Sequence, residues 1–496
     1  MLRHLARLAI VFLISGAVYA QVTGAFYCGY DDFLVVHRTA FEDTQNPSRM
    51  FTTSHFDSPK YRPVERVIDY MTYHLGDGRP ILYRLRSLGS HFVVVTAVYA
   101  IGLMLFGSPV IAFSAALLFS IHPLANQTVV ACSWPITMAG ALACTALVLF
   151  MYSVRHPRRR WLWATLSLLA GWITIFCYES GVACFALMYG YLGLEYYEQR
   201  RMPVSRRFLV VFTAAVALIG VTLMAARHAF LTHPAERASV TVILKNAAFY
   251  GGGLLSSPVD SVLAHDLFDA PLPSEMSLNS SALLPVASAS IVLAIAAVLL
   301  LAAWRKRSDL KPFVRILALV VAAAVWLIPF LVFNPHASET YLYLPSAMFS
   351  LILAAFLYYT IRRPSAFAAC VAVLAVLFGA ATYNRNRHVA DEGAIAKRIL
   401  SSLPVSRWKQ GPWQIQLAEA DPSLPRFGMY EYQGLATIDI GDTGVPGAEC
   451  ALQLATGNQA VKVRVVSAAA MQFGCPPSSQ CFRIHADGAV SEVGGS

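Results

Sequence analysis

Residues 8–33 read LAIVFLISGAVYAQVTGAFYCGYDDF. An apolar run gives way to two adjacent acids, in Tyr30-Asp31-Asp32-Phe33. A run of about 20 apolar residues suffices to cross a bilayer as a helix. Charge at the boundary of a bilayer is costly unless water, a partner or a substrate stabilises it. The placement of the acid pair makes it the first lead to chemistry.

The rest of the chain repeats the apolar theme. Of 496 residues, 57% are hydrophobic and 13% charged, with a mean hydropathy of +0.55. A soluble protein carries roughly 25% charged residues. The composition therefore defines an all-α polytopic membrane protein with about eleven transmembrane helices. The expected spans are 7–26, 87–106, 108–125, 134–153, 161–178, 180–197, 208–229, 282–303, 313–333, 341–361 and 365–383. Basic clusters fall in alternate loops: Arg3 and Arg7, then Arg155 with Arg158 to Arg160, Arg200 and Arg201 with Arg206 and Arg207, Arg305 to Lys311, and Arg362 with Arg363. The positive-inside rule sets all of these, and the N-terminus, in the cytoplasm. Arg84 and Arg86 oppose this orientation. Because the net charge of +10 is carried by these short loops, it does not indicate nucleic acid. Val18-Tyr19-Ala20 before Gln21 also fits a signal-peptidase site, but apolar residues continue to Phe26, which favours a retained span.

This orientation sends 27–86, 122–133, 230–281 and everything after 384 to the outer side. The expected organisation is a membrane domain, 1–383, and a small β-rich extracytoplasmic domain, 384–496. In the latter, Ala436 to Ile440 and Val461 to Val466 read as strands, punctuated by Gly and Pro. Cys28, Cys132, Cys144, Cys177, Cys184 and Cys370 lie in or near spans and read as packing residues. Cys450, Cys475 and Cys481 lie in the tail, where Cys475–Cys481 or Cys450–Cys475 is the expected disulfide. No Cys/His spacing suggests zinc.

Within 27–86, residues Val64, Val67, Ile68, Met71 and Leu75 form an apolar stripe at helical spacing, with Glu65, Arg66 and Asp69 opposite. Pro63 suits a first helical turn. The pattern predicts a juxtamembrane helix on the outer face, either a plain connector or the roof of a cavity that presents Arg62 to an anion. Asp31 and Asp32 repel one another, so one can keep a raised pKa and act as a general base; together they could equally hold a divalent cation, or be a solvated loop pair. His91, His122, Glu179, Glu339, Tyr341 and Tyr343 mark a polar rim at the same level. Each alone reads as a helix cap or an interhelical hydrogen bond. Arg38, Arg49 and His55 are weaker candidates.

In their order and spacing these residues resemble the GT-C class of polytopic membrane glycosyltransferases, and within it the branch of transmembrane O-mannosyltransferases with TPR tails and their bacterial relatives. The matching positions are Asp31-Asp32 after the first helix, Tyr61-Arg62-Pro63-Val64, His91, Ile121-His122-Pro123, Glu179, and Tyr341 to Pro345. The resemblance covers about 10–385. Three charges of the family pattern are replaced here, by Tyr178, Gln127 and Thr340, and the tail has no TPRs.

The resemblance implies transfer of a sugar from a polyprenyl-phosphate donor to an acceptor hydroxyl of a protein, glycan or lipid, on the periplasmic or lumenal side. Asp31 or Asp32 is then the catalytic base of an inverting reaction. Arg62 stabilises the donor phosphate, with Tyr61, His91, His122, Glu179, Glu339, Tyr341 and Tyr343 around donor phosphate and sugar. No metal is obligatory. An inner membrane with a periplasmic tail fits best, and an ER membrane has the same topology. The rival classes are a lipid-linked sugar ligase or polymerase, a flippase of such lipids, and a non-catalytic scaffold. Charged or broken helices at mid-membrane would mark the flippase.

Overall fold

The computed structural model describes residues 2–27, 30–53, 60–132, 135–230, 239–259, 310–333, 339–419, 447–466, 475–476, 478–485 and 488–493. The helices are α1 (Leu2–Thr23), α2 (Tyr30–Arg38), α3 (Arg49–Thr52), α4 (Pro63–Gly76), α5 (Pro80–Phe106), α6 (Pro109–Ser120), α7 (Pro123–Val130), α8 (Ile136–Arg155), α9 (Arg160–Cys177), α10 (Ala183–Gln199), α11 (Arg206–Phe230), α12 (Val240–Val259), α13 (Lys311–Phe333), α14 (Tyr343–Thr360), α15 (Pro364–Ser402) and α16 (Gly447–Thr456). Among the described residues eight helices are long and apolar enough to cross a membrane, or nine if α6 and α7 count as one span bent by 57°. The chain is a multi-pass helical membrane protein. Of the eleven expected spans, the other two are α10, which has 17 residues, and 282–303, which lies outside the described residues. The helix α12 has no counterpart among the expected spans; it packs on α13 and α7.

Local chemistry sets the breaks. Gly107 ends α5 at φ 64, a left-handed conformation that costs glycine little. Ser108 then caps α6 by accepting from Ile111 N, and Pro109 opens the helix. The bend between α6 and α7 falls at Ile121-His122, where His122 Nδ1 accepts from Leu124 N (3.2 Å) and Pro123 starts α7. The core is a dense layer of small and aliphatic residues. Ala112, Ala115, Ala116, Ala143 and Ala146 are fully buried, which lets neighbouring helices approach closely.

One end of the bundle collects the basic loops. His4 Nδ1 meets Tyr99 Oη at 2.6 Å. Arg155 donates to Met104 O and Glu195, and Arg315 pairs with Glu198. The rings of Phe106 and Tyr359 lie 6.3 Å apart. The two dissenting arginines belong to the opposite end and have local duties. Arg84 donates to the carbonyls of Ala25 (3.3 Å), Phe26 (2.7 Å) and Val130, and Arg86 pairs with Asp69.

Beyond the membrane domain, α15 runs unbroken for 39 residues, past 384 and into the tail. The tail is built on a four-stranded sheet of order β2-β1-β3-β4, with β1 Trp413–Glu419, β2 Val461–Val466, β3 Gln480–Ile484 and β4 Val490–Val493. β1 pairs parallel with β2 and β3, and β3 pairs antiparallel with β4. The strand expected at 436–440 lies outside the described residues. Trp408, Ile415, Leu417, Leu452 and Phe482 pack with Ile399 of α15 and Leu403 just after it into one apolar core. The disulfide is Cys475–Cys481. Cys450 is a buried free thiol, so the alternative Cys450–Cys475 pairing does not form.

The tail also docks back on the membrane domain. Cys450 and Ala451 of α16 pack with Tyr27, Phe33, Val36, Tyr83 and Cys132. Gln453 Oε1 lies 2.5 Å from His37 Nε2 of α2, while its amide nitrogen faces Glu449, Gln459 O and Val461 O. An amide nitrogen surrounded by acceptors must donate, so the histidine nitrogen donates to Oε1. Loss of this latch in Gln453→Ala should raise hydrogen exchange across α2 at least several-fold, measured by mass spectrometry. Unchanged protection of 30–38 would show that the contact restrains nothing.

Candidate active site

The acid-bearing helix α2 opens the site. Phe33 and Val36 turn into the apolar cluster beneath the tail, which rotates Asp32 inward. Asp32 is 1% exposed, and its Oδ1 accepts from Cys132 N (2.9 Å). The side chain of Asp31 lies outside the described set, as do the side chain of Glu339 and the whole of His55.

The predicted juxtamembrane helix is α4. It starts at Pro63 as expected and ends at Asp77 and Gly78, both at positive φ. Its faces are set the reverse of a soluble surface helix. Glu65, Arg66 and Asp69 are buried, while Met71 and Leu75 are 55% and 78% exposed. The charged face therefore looks into the protein and the outer end of the apolar stripe looks away from it.

Inside that face is a buried ionic cluster. Asp69 accepts from Arg86 (2.6 Å) and Arg38 (3.3 Å). Asp43 faces Arg38 (3.6 Å) and is paired with Arg66. Arg66 also donates to Arg49 O (2.8 Å) and Thr53 Oγ1 (2.6 Å), tying down the turn after α3. Arg62 stands just before α4; its Nε and Nη2 both lie 2.9 Å from Glu179 Oε2, and its Nη1 is 3.6 Å from Glu65. The Arg62 guanidinium also covers the ring of Tyr178, 4.1 Å from its centroid. Where the family pattern has a lysine, this chain thus offers an aromatic face to the same arginine, a cation–π contact. The acid helix joins the cluster through one peptide: Cys132 N donates to Asp32, and Cys132 O accepts from Arg86 (2.8 Å).

Electrostatics follow from burial. Burial pushes the Glu65 carboxyl up to about 8; the Arg62 charge pulls the other way and that of Asp69 adds to the rise. Burial also raises Glu179, but the charge and hydrogen bonds of Arg62 outweigh it and hold the carboxyl below its usual range. Four arginines (38, 62, 66 and 86) face four carboxyls (43, 65, 69 and 179). Burial raises the Asp69 carboxyl as well, against the pull of Arg86 and Arg38. With Glu65 protonated and the other three carboxyls ionised, the four arginines leave one surplus positive charge.

The remaining sequence candidates are distributed as follows. Tyr61 donates to Phe51 O (2.9 Å) and stacks on Phe230. His91 and Tyr343 are fully buried and bonded to each other (2.9 Å) across α5 and α14. His91 Nε2 meets Ser120 O (3.1 Å), so it carries the hydrogen and, in the neutral ring, Nδ1 accepts from Tyr343. His122 is a buried helix cap. Tyr341 stacks on Phe330 at 4.1 Å and, with Tyr178, Ser180 and Trp326, lines a narrow cavity near Glu179. The indole nitrogen of Trp326 is buried there without a hydrogen-bond partner among the described residues. Arg62 and Glu179 are thus brought together, and His91 and Tyr343 are brought together elsewhere, inside the bundle. Asp43, Arg86, Cys132 and Trp326 enter as residues that sequence reading missed. Arg62, Glu179, Arg38 and the polar side of α4 hinted at the cluster, but its members come from separate elements and their pairing could not be read. No group of three or more potential metal ligands occurs among the described residues.

No protein-family model matches the sequence, and no curated protein matches it. Solved structures do. The Archaeoglobus fulgidus oligosaccharyltransferase in its apo form superposes with a TM-score of 0.50 at 11% identity, over 83% of this chain and 62% of that one. ArnT from Cupriavidus metallidurans, also apo, gives 0.40 at 15% identity, over 97% and 92% of the two chains. The archaeal AglB from Archaeoglobus fulgidus, solved with an inhibitory peptide and a dolichol-phosphate, gives 0.46 at 12% identity, over 95% and 70%. The chain spans less than two thirds of the length of the first of these. The fold is that of the GT-C membrane glycosyltransferases.

Proposed function

We propose that the protein transfers a sugar from a polyprenyl-phosphate donor to an acceptor hydroxyl at the end of the bundle that carries α2 and α4. Asp32 takes the hydroxyl proton. The oxygen attacks the anomeric carbon from the face opposite the phosphate and inverts it. The bond from that carbon to the phosphate oxygen breaks, and the oxygen leaves with the electron pair. Arg62 meets the departing phosphate with two N–H donors in a planar fork. The acid end is taken as extracytoplasmic, with the basic end and the N-terminus in the cytoplasm.

The observation that carries this reading is the inward-facing charge of α4. A helix that buries Glu65, Arg66 and Asp69 while exposing Met71 and Leu75 holds an arginine-rich surface beside the bilayer. A lipid-borne phosphate arrives at that level. The clustered charges lie at one end, and the buried pair inside the bundle, His91 and Tyr343, carries no carboxylate or guanidinium, which supports an enzyme over a flippase. The test is direct: the purified protein with a polyprenyl-phosphate sugar should release polyprenyl phosphate in step with glycosylated acceptor. Movement of the lipid across a vesicle without bond cleavage would overturn the proposal.

Two results are expected around Arg62. Arg62→Lys keeps the charge but loses the fork and the flat contact with Tyr178, so kcat/KM should fall about 10- to 100-fold, the weight of one or two charged hydrogen bonds. The second concerns pH. Below the Glu65 pKa of about 8 the carboxyl is neutral and the cluster has its surplus positive charge. As pH rises through about 8, Glu65 ionises, the surplus disappears and donor affinity drops. The KM for donor should climb on the alkaline side, and Glu65→Gln should flatten that limb. A wild-type and a Glu65→Gln profile that rise together would place the titration elsewhere.

A further inference from the structure

At the basic end, α8 finishes and α9 begins with a tight turn, Pro157–Arg159, between them. The turn forms the floor of a cleft of about 630 Å³ lined by Tyr152, His156, Pro157, Arg158, Arg159 and Trp163. The rings of Tyr152 and His156 stack at 5.5 Å and 16°, and Trp163 stands 6.1 Å from Tyr152.

The four arginines of this region divide into two kinds. Arg155 is engaged with Tyr191 Oη (2.9 Å), Met104 O and Glu195. Arg160 donates to Ser153 O (3.3 Å) and Pro203 O (3.1 Å) and covers the ring of Phe208. Arg158 and Arg159 are exposed, and no carboxylate pairs with either among the described residues. Both line the cleft. The start of α9, an 18-residue helix, has no side-chain cap on its N–H groups, so the positive end of its dipole adds to the field. Below the cleft Leu162, Leu166 and Leu169 make an exposed apolar stripe down α9.

Two guanidiniums without a carboxylate partner among the described residues, a helix start without a side-chain cap, an aromatic rim and an apolar stripe on α9 suit one ligand chemistry. We propose that this cleft binds the phosphate of an anionic membrane phospholipid, with its acyl chains along α9. Tyr152 and Trp163 sit at the level where aromatic rings favour the interface, and the two arginines supply the charge. The site lies at the opposite end of the bundle from α2 and α4 and is independent of the transferase reading.

Native mass spectrometry of the full chain tests it, with phosphatidylglycerol or phosphatidylcholine titrated into the detergent-purified protein. One saturable phosphatidylglycerol adduct is expected. Arg158→Gln with Arg159→Gln should weaken it about 30-fold, at roughly fivefold for each arginine. Arg200→Gln with Arg201→Gln removes the same charge from the next basic loop and should leave the adduct intact. Equal binding of phosphatidylcholine would overturn the proposal, because charge would not be what the cleft reads. So would an equal loss in both double variants, which would mean diffuse attraction to the whole basic end. Wild-type binding by Arg158→Gln with Arg159→Gln would overturn it outright.

Discussion

Asp32→Asn should lower sugar transfer by about 10²- to 10⁴-fold, the usual weight of a general base, while the protein stays folded. The substitution is unusually clean here. Asp32 accepts a hydrogen bond from Cys132 N, and an asparagine carbonyl can accept the same bond. The peptide that joins α2 to Arg86 is therefore preserved while the proton-accepting charge is lost. The measurement is kcat with a polyprenyl-phosphate sugar, alongside the thermal midpoint of each protein. Asp31→Asn is run in parallel because the two acids are adjacent. Full activity in both variants would remove the base from this helix and, with it, the proposed reaction.

The second large effect is on stability. Asp69 is fully buried between Arg86 and Arg38. Asp69→Asn leaves Arg86, which is mostly buried, facing a neutral amide, while Arg38 keeps only its longer contact with Asp43. Breaking a buried ion pair from one side costs about 3–5 kcal/mol, because the remaining charge is uncompensated. The purified variant should lose folded protein at temperatures the wild type survives, read by intrinsic fluorescence on heating. Asp69→Asn combined with Arg86→Gln should recover part of the loss, since the second change removes one orphaned charge. A thermal midpoint for Asp69→Asn within a degree of the wild type would show that water reaches the cluster and screens it.

How far the chain could be read without coordinates varies with the range of the interaction. Nine of the spans were legible because each is a contiguous apolar run; α8 spans Ile136–Arg155 against 134–153, whereas α5 begins seven residues before the expected 87 and α15 runs 19 residues past the expected 383, where polar residues continue the helix. The start of α4 was legible because Pro63 is a local signal. Which way α4 faces was not. A helix at a membrane surface has two apolar surroundings, lipid and protein, and the stripe of Val64, Ile68 and Met71 reads the same against either. The ionic cluster depends on Asp43, Arg38 and Arg86, which come from three different elements. The pairing of His91 with Tyr343 joins residues 252 apart. Asp31 and Asp32 cannot be told apart by adjacency; Asp32 accepts from the Cys132 amide, and the side chain of Asp31 lies outside the described residues. In the tail, the two parallel pairings of β1 require crossovers, and short strand-like runs say nothing of their order.

The 39 residues of α15 extend nearly 60 Å at 1.5 Å per residue, about twice the apolar thickness of a bilayer. The tail is thus carried on a rigid mast instead of a tether. Adding one residue to a helix turns everything beyond it by about 100°. A single insertion near 385–395 would swing Gln453 away from His37 and unseat the tail from the acid helix, whereas an insertion of seven residues, close to two full turns, would restore the angle but lift the tail by about 10 Å. The length of this strut therefore sets how the tail meets the candidate site at α2, although none of its residues needs to touch a substrate.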